Sequence, residues 1–156
     1  MIKKGDRAID FQLENQNGKK IKLSDYKDKI VVLYFYPKDL SSGCTKEARA
    51  FRDNFKKIKE LNGVILGVSG DIKELHKKFI EKENLPFDLL SDHDFIVSTL
   101  YNAYEEKSMY GRKYMGIERS TFLIIGTGII KKTWRHVKII GHVEEVIKVI
   151  EELKEQ

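Results

Sequence analysis

Cysteine is nearly absent from this 156-residue chain, which has one, and proline is scarce, with two. A lone thiol excludes an internal disulfide framework and points to a reducing, cytoplasmic setting. No apolar run approaches the length of a membrane span, so no membrane partner is expected. Met1-Ile2-Lys3-Lys4-Gly5-Asp6 has no apolar stretch behind its basic residues, and no signal peptide is expected. Internal repeats, linkers and low-complexity segments are also missing. The net charge of +5 raises the question of nucleic acid. Lys and Arg are, however, scattered among Glu and Asp, as in Lys56-Lys57-Ile58-Lys59-Glu60, which reads as a solvated helix face rather than a nucleic-acid surface. With 41% hydrophobic and 34% charged residues, 1–156 reads as one globular domain large enough for a core.

The single thiol, Cys44, ends the stretch Pro37-Lys38-Asp39-Leu40-Ser41-Ser42-Gly43-Cys44. Before it, Ile30 to Tyr36 is a continuous apolar and aromatic run of strand type. After it, Ala48, Phe51, Phe55 and Ile58 fall at helical spacing. Ser41 or Ser42 can act as N-cap and Gly43 lets the turn close, which puts the sulfur in a first helical turn near unpaired backbone N–H groups. Those groups and the helix dipole favour the thiolate, the attacking form. A free cysteine is more often buried as a small hydrophobe; polar, glycine-containing surroundings argue for a reactive one here.

Residues 9–14 and 20–23 alternate around Asn17-Gly18, a hairpin signal. Strand 30–36 leads to a helix from 44 to about 61, and 63–68 is a second buried strand. Asp71 caps a helix with Ile72, Leu75, Phe79 and Ile80 on its core face; 87–90 is a short strand, and 91–94 cap a helix to about Tyr104. Glu105 to Glu118 has no sustained period and reads as a loop. Thr121–Ile125 and Ile129–Trp134 flank the turn 126–128 as an antiparallel hairpin. A last helix from about His142 gathers Val143, Val146, Ile147, Ile150 and Leu153. The order implies an α/β domain with a mixed central sheet flanked by helices and an N-terminal β-hairpin extension.

A reactive thiol at the N-terminus of the helix after a central strand, in an α/β chain ending ββα, is similar to a thioredoxin-like fold. Tyr34-Phe35-Tyr36-Pro37-Lys38-Asp39, Gly43-Cys44-Thr45-Lys46-Glu47-Ala48 and Phe51-Arg52-Asp53 resemble the active-site segment of peroxiredoxins, most closely the bacterioferritin comigratory protein or peroxiredoxin Q group. Leu89-Leu90-Ser91-Asp92, residues 116–124, residues 134–138 and Gly141-His142 match the same group in order. The resemblance implies a thiol-dependent peroxidase acting on hydrogen peroxide and small organic hydroperoxides, without cofactor or metal. It makes Cys44 the peroxidatic cysteine, with Pro37, Ser41 and Arg119 completing the catalytic site and Ser41, Gly43, Cys44 and Arg119 holding substrate. Arg119 supplies a permanent cation, Ser41 a hydroxyl and the Gly43 and Cys44 amides further donors, while Pro37 shields the sulfur. Glu47 supports the site by orienting Arg119 or Arg52. The four histidines read as structural or exposed, and Trp134 as core or pocket wall.

Three departures from the group stand out. Ser41-Ser42 replaces Thr-Pro, which keeps the hydroxyl and frees the loop. Arg49 occupies the usual place of a resolving cysteine, so a sulfenic acid at Cys44 must be reduced by an external thiol: thioredoxin, glutaredoxin or a small thiol. No proline precedes strand 121–125 and no second cysteine forms a dithiol motif, against a dithiol oxidoreductase. Two other readings stay open: a redox-sensing or interaction module without efficient turnover, and a cysteine hydrolase, which needs a base histidine near Cys44. A monomer or a homodimer suits the chain equally.

Overall fold

The computed structural model describes residues 1–155; Gln156, the last residue of the expected domain, lies outside them. The chain opens with β1 (Gln12–Glu14) and β2 (Lys20–Lys22), an antiparallel pair turning through Gly18 at φ +77. Then follow β3 (Ile30–Phe35), α1 (Ser42–Asp53), α2 (Phe55–Glu60), β4 (Gly63–Ser69), α3 (Lys73–Glu83), β5 (Asp88–Ser91) and α4 (Ile96–Leu100). The last part contains β6 (Tyr104–Met109), β7 (Arg112–Ile117), β8 (Ser120–Ile124), β9 (Ile130–Arg135) and α5 (His142–Lys154). Seven strands form one mixed sheet in the order β2-β1-β5-β4-β3-β8-β9, in which β3, β4 and β5 are parallel and β8 and β9 antiparallel.

Every residue of β3 is buried, which is why it reads as a continuous apolar run rather than an alternating one. Its two faces serve two cores. Ile30, Val32 and Tyr34, with Tyr36 just beyond the strand, pack against Ala48, Phe51, Ile58 and Phe79 and against Val143, Val146, Ile147 and Ile150. Val31, Leu33 and Phe35 pack on the other side with Phe11, Val97, Tyr101 and Phe122. The strand's C-terminal end therefore delivers residues 37–41 to the top of the sheet, where α1 begins.

The structure corrects four expectations. The helix expected from 44 starts at Ser42, so Cys44 is its third residue, and it breaks at Asn54 (φ −110, ψ 8), whose side-chain amide donates to the Ala50 carbonyl at 2.8 Å. Asp71 does not cap α3, because its carboxylate is taken by the Asp39 N–H and the Ser69 hydroxyl; of the expected core face Phe79 is buried and Ile80 packs against the core, but Ile72 and Leu75 are 47% and 37% exposed, and buried His76 turns inward beside Phe79. Asp92 does cap α4, accepting from the Val97 and Ser98 amides, but the helix stops at Leu100 rather than near Tyr104. Residues 104–117 are not a loop: β6 and β7 pair antiparallel around Tyr110 and Gly111, both at positive φ. This hairpin forms a separate two-stranded sheet with most side chains in solvent, so no apolar alternation marks it.

Candidate active site

Leu40 turns at φ +67, and Ser41, extended at φ −70 and ψ 155, becomes the N-cap of α1. The first α1 bond runs from the Thr45 N–H to the Ser41 carbonyl at 2.9 Å, so the Gly43 and Cys44 amides precede the ladder and are not used by it. The Ser41 hydroxyl donates to the Lys38 carbonyl at 3.0 Å, and it neither accepts from a helix amide nor bonds the sulfur. Pro37 sits half-buried between the end of β3 and this turn.

The sulfur is more buried than its polar sequence neighbours suggest: Cys44 is 2% exposed and joins the helical-side core. Its polar contact is Arg119, whose Nη2 donates to Sγ at 3.4 Å while Nη1 donates to Glu47 Oε1 at 2.7 Å. Glu47 lies three residues after Cys44 on the same helix face, so both groups meet one guanidinium. Of the two arginines open to Glu47, the structure selects Arg119, because Arg52 donates to Asp53 and to the Glu83 carbonyl. The Arg119 carbonyl is itself pinned by the Val137 N–H at 3.0 Å. Gly43 makes room for this crossing: a Cβ there would stand 3.3 Å from Arg119 Nη2 and 3.4 Å from the Ile139 side chain. Arg49 points outward and holds Glu83 at 2.6 Å.

Two buried polar atoms near the sulfur have no hydrogen-bond partner among the described residues, Glu47 Oε2 and the Tyr34 hydroxyl. Burial, opposed by Arg119, pushes the Glu47 carboxyl up to about 7. Behind the site His142, 4% exposed, shares a 2.8 Å hydrogen bond with the Thr121 hydroxyl, and burial holds its imidazole down to about 4. The two shifts work against each other in stability. Glu47 favours the fold at low pH and loses that contribution as pH rises from 4.5 through 7; His142 favours it at high pH and loses that contribution as pH falls from 6.5 through 4. Between pH 5 and 6.5 the slopes cancel. In Glu47→Gln only the His142 slope remains, so unfolding free energy measured by urea titration should fall by about 1.5 kcal/mol from pH 6.5 to 5. A slope equal to that of the parent would overturn the pairing.

His76 and His142 are thus committed to structural partners, and no histidine bonds the sulfur among the described residues, against a hydrolase. Among the described residues two groups could share a cation: Asp39, Asp71 and His76, and the surface set Glu105, Glu118 and His136. The ligand atoms of the first set are already hydrogen-bonded, and in the exposed second set His136 lies 3.3 Å from Glu118 and 3.7 Å from Glu105. No helix among the described residues is long and apolar enough to cross a membrane. The buried Asp39–His76 pair has no signature in the sequence, since nothing local links residues 37 positions apart.

A mixed sheet whose central strand feeds a cysteine into a helix N-terminus, with an arginine on the sulfur, defines a thioredoxin-like thiol enzyme. Comparison with known proteins narrows this class. The AhpC/TSA family model matches residues 4–133. Peroxiredoxin Bcp of Bacillus subtilis is 47% identical over 155 residues, covering 99% of each chain. Among solved structures, a cysteine-to-serine variant of PrxQ from Xylella fastidiosa superposes with a TM-score of 0.94 at 36% identity, over 99% of this chain and 98% of that one. The Xanthomonas campestris bacterioferritin comigratory protein, whose structures address alkyl peroxide reduction, gives 0.87 at 34% identity, over 91% and 90%. The chain belongs to the AhpC/TSA family, within its Bcp/peroxiredoxin Q group, and is a thiol-dependent peroxidase.

Proposed function

We propose that residues 1–156 work as one peroxidase unit that reduces hydrogen peroxide and small organic hydroperoxides through Cys44 alone. The Cys44 thiolate attacks one peroxide oxygen, the O–O bond breaks, and the other oxygen leaves as hydroxide or alkoxide, to be protonated from solvent; Cys44 becomes a sulfenic acid. An external thiol then displaces water to form a mixed disulfide, and a second thiol releases Cys44. Thioredoxin, glutaredoxin and small thiols are candidate reductants, and the dependence on them fits a cytoplasmic setting. The cycle needs one chain, so a monomer and a homodimer can both run it.

The observation that carries this reading is the Arg119 guanidinium held by Glu47 at 2.7 Å and set on the sulfur at 3.4 Å. It stabilises the attacking thiolate and lies where charge moves along the breaking O–O bond. The free Gly43 and Cys44 amides add donors, a rotation of the Ser41 hydroxyl off the Lys38 carbonyl brings another, and Pro37 walls the sulfur from bulky thiols. Entry past a sulfur that is 2% exposed selects small hydroperoxides. In excess dithiothreitol the protein should consume hydrogen peroxide, and Arg119→Met should slow both consumption and Cys44 alkylation. The expected loss is about 10- to 100-fold, matching a charged hydrogen bond of about 1.5–3 kcal/mol. Equal rates in the two proteins would remove Arg119 from the mechanism.

A further inference from the structure

Beside the Cys44 turn lies a second buried polar cluster that the peroxide chemistry does not use. Asp39 is 4% exposed and His76, on α3, is fully buried. His76 Nδ1 lies 2.6 Å from Asp39 Oδ2, and Nε2 lies 3.0 Å from the Leu90 carbonyl. A carbonyl only accepts, so Nε2 carries a proton, and one more proton lies between Nδ1 and Oδ2. The Tyr36 hydroxyl donates to Asp39 Oδ1 at 2.5 Å. The Asp39 N–H donates to Asp71 Oδ2 at 2.7 Å, and the same oxygen accepts from the Ser69 hydroxyl at 2.7 Å. Asp39 is therefore tied by side chain and main chain to the end of β3, to α3 and to the turn after β4.

The next residue in the chain, Leu40, explains why such a clamp is needed. It has φ +67, a region costly for a bulky side chain, and such a conformation persists only where its neighbours fix it. Leu40 leads directly to Ser41, the N-cap of the helix that carries Cys44, and Ser42 supplies no ring to stiffen the segment. A backbone freed at Leu40 would relax to negative φ and carry Ser41 and Pro37 away from the sulfur. We infer that the Asp39–His76 pair is a positioning device for the peroxide site: it holds the strained Leu40 turn so that the groups around Cys44 face a bound hydroperoxide. The inference rests on Cys44 being the reacting thiol. His76 touches neither sulfur nor substrate in this scheme.

The test compares two reactions of the same sulfur. Peroxide reduction needs the oriented donors of the 37–44 turn, whereas alkylation by iodoacetamide needs only a reactive, reachable thiolate. A merely structural loosening moves both reactions of the sulfur together, whereas loss of orientation lowers the peroxide rate constant itself and leaves alkylation unchanged. In His76→Leu, confirmed folded by circular dichroism, the ratio of the peroxide rate constant to the alkylation rate constant should fall at least tenfold. Asp39→Asn, which still accepts from Tyr36 and can donate to a neutral His76, should keep most of that ratio. If His76→Leu does not fold, Tyr36→Phe is read instead, with a fall of at least threefold expected. A ratio within threefold of the parent in folded His76→Leu, or an unchanged ratio in Tyr36→Phe, overturns the clamp. The unsubstituted protein is run alongside: absence of peroxide reduction there defeats the Cys44 reading itself, whereas normal reduction with an unaffected variant defeats only this inference.

Discussion

Cys44→Ser should have no measurable peroxidase turnover while keeping the fold. The substitution removes the only thiol in the chain, and a serine hydroxyl is not ionised at neutral pH, so nothing remains to attack the O–O bond. The fold tolerates the change for local reasons. The side chain is 2% exposed within the helical-side core, and the new hydroxyl can accept the Arg119 Nη2 hydrogen bond that Sγ now takes. The shorter C–O bond and a more polar atom should cost about 1 kcal/mol of stability. Peroxide consumption in excess dithiothreitol and a urea unfolding curve check both halves. Turnover within tenfold of the parent would move the chemistry away from Cys44 altogether.

How much of this was legible in the sequence divides along physical lines. The Cys44 turn was readable because its determinants are local: a buried strand run, cap-type serines, a glycine and a helical period succeed one another within about thirty residues. Arg119 was reachable only through the resemblance, since it lies 75 residues from Cys44 and no spacing rule joins them. Glu47 could be placed on the Cys44 face of the helix, but choosing between Arg119 and Arg52 required the tertiary structure, where Glu83 and Asp53 already hold Arg52. Elements that bury little were misread. The hairpin of β6 and β7 lacks an apolar face, and α3 buries Phe79 and packs Ile80 as expected but also turns His76 and Glu83 inward while leaving Ile72 and Leu75 in solvent, so counting apolar residues finds only part of its inward face. The buried histidine is tolerated there because both of its ring nitrogens find partners.

Oxidation without reductant should trap Cys44 in forms that no residue of the same chain can resolve. One equivalent of hydrogen peroxide should give an intact mass with one added oxygen, or an intermolecular or mixed disulfide through Cys44; excess peroxide should add two or three oxygens and abolish activity that dithiothreitol cannot restore. Arg49 stands where a resolving cysteine would be needed, and the geometry shows why restoring one there is not sufficient by itself. Both positions lie in the continuous helix α1, where five residues correspond to a rise of about 7.5 Å and to nearly opposite sides of the helix. Cys44 faces the core and Arg49 faces solvent, whereas a disulfide needs Cα atoms within about 7 Å and converging side chains. Arg49→Cys should therefore form an internal disulfide only as fast as the first turns of α1 unwind. The loss of the half-exposed Arg49–Glu83 pair, screened by solvent, eases that step only slightly. Peroxide-treated Arg49→Cys should show two populations by mass, an internal disulfide and an over-oxidised Cys44, with the disulfide gaining as mild urea loosens the helix. An unmodified, fully active parent protein after excess peroxide would defeat the one-cysteine cycle, and immediate, complete disulfide in Arg49→Cys without urea would show that α1 opens far more readily than its buried Ala48 and Phe51 allow.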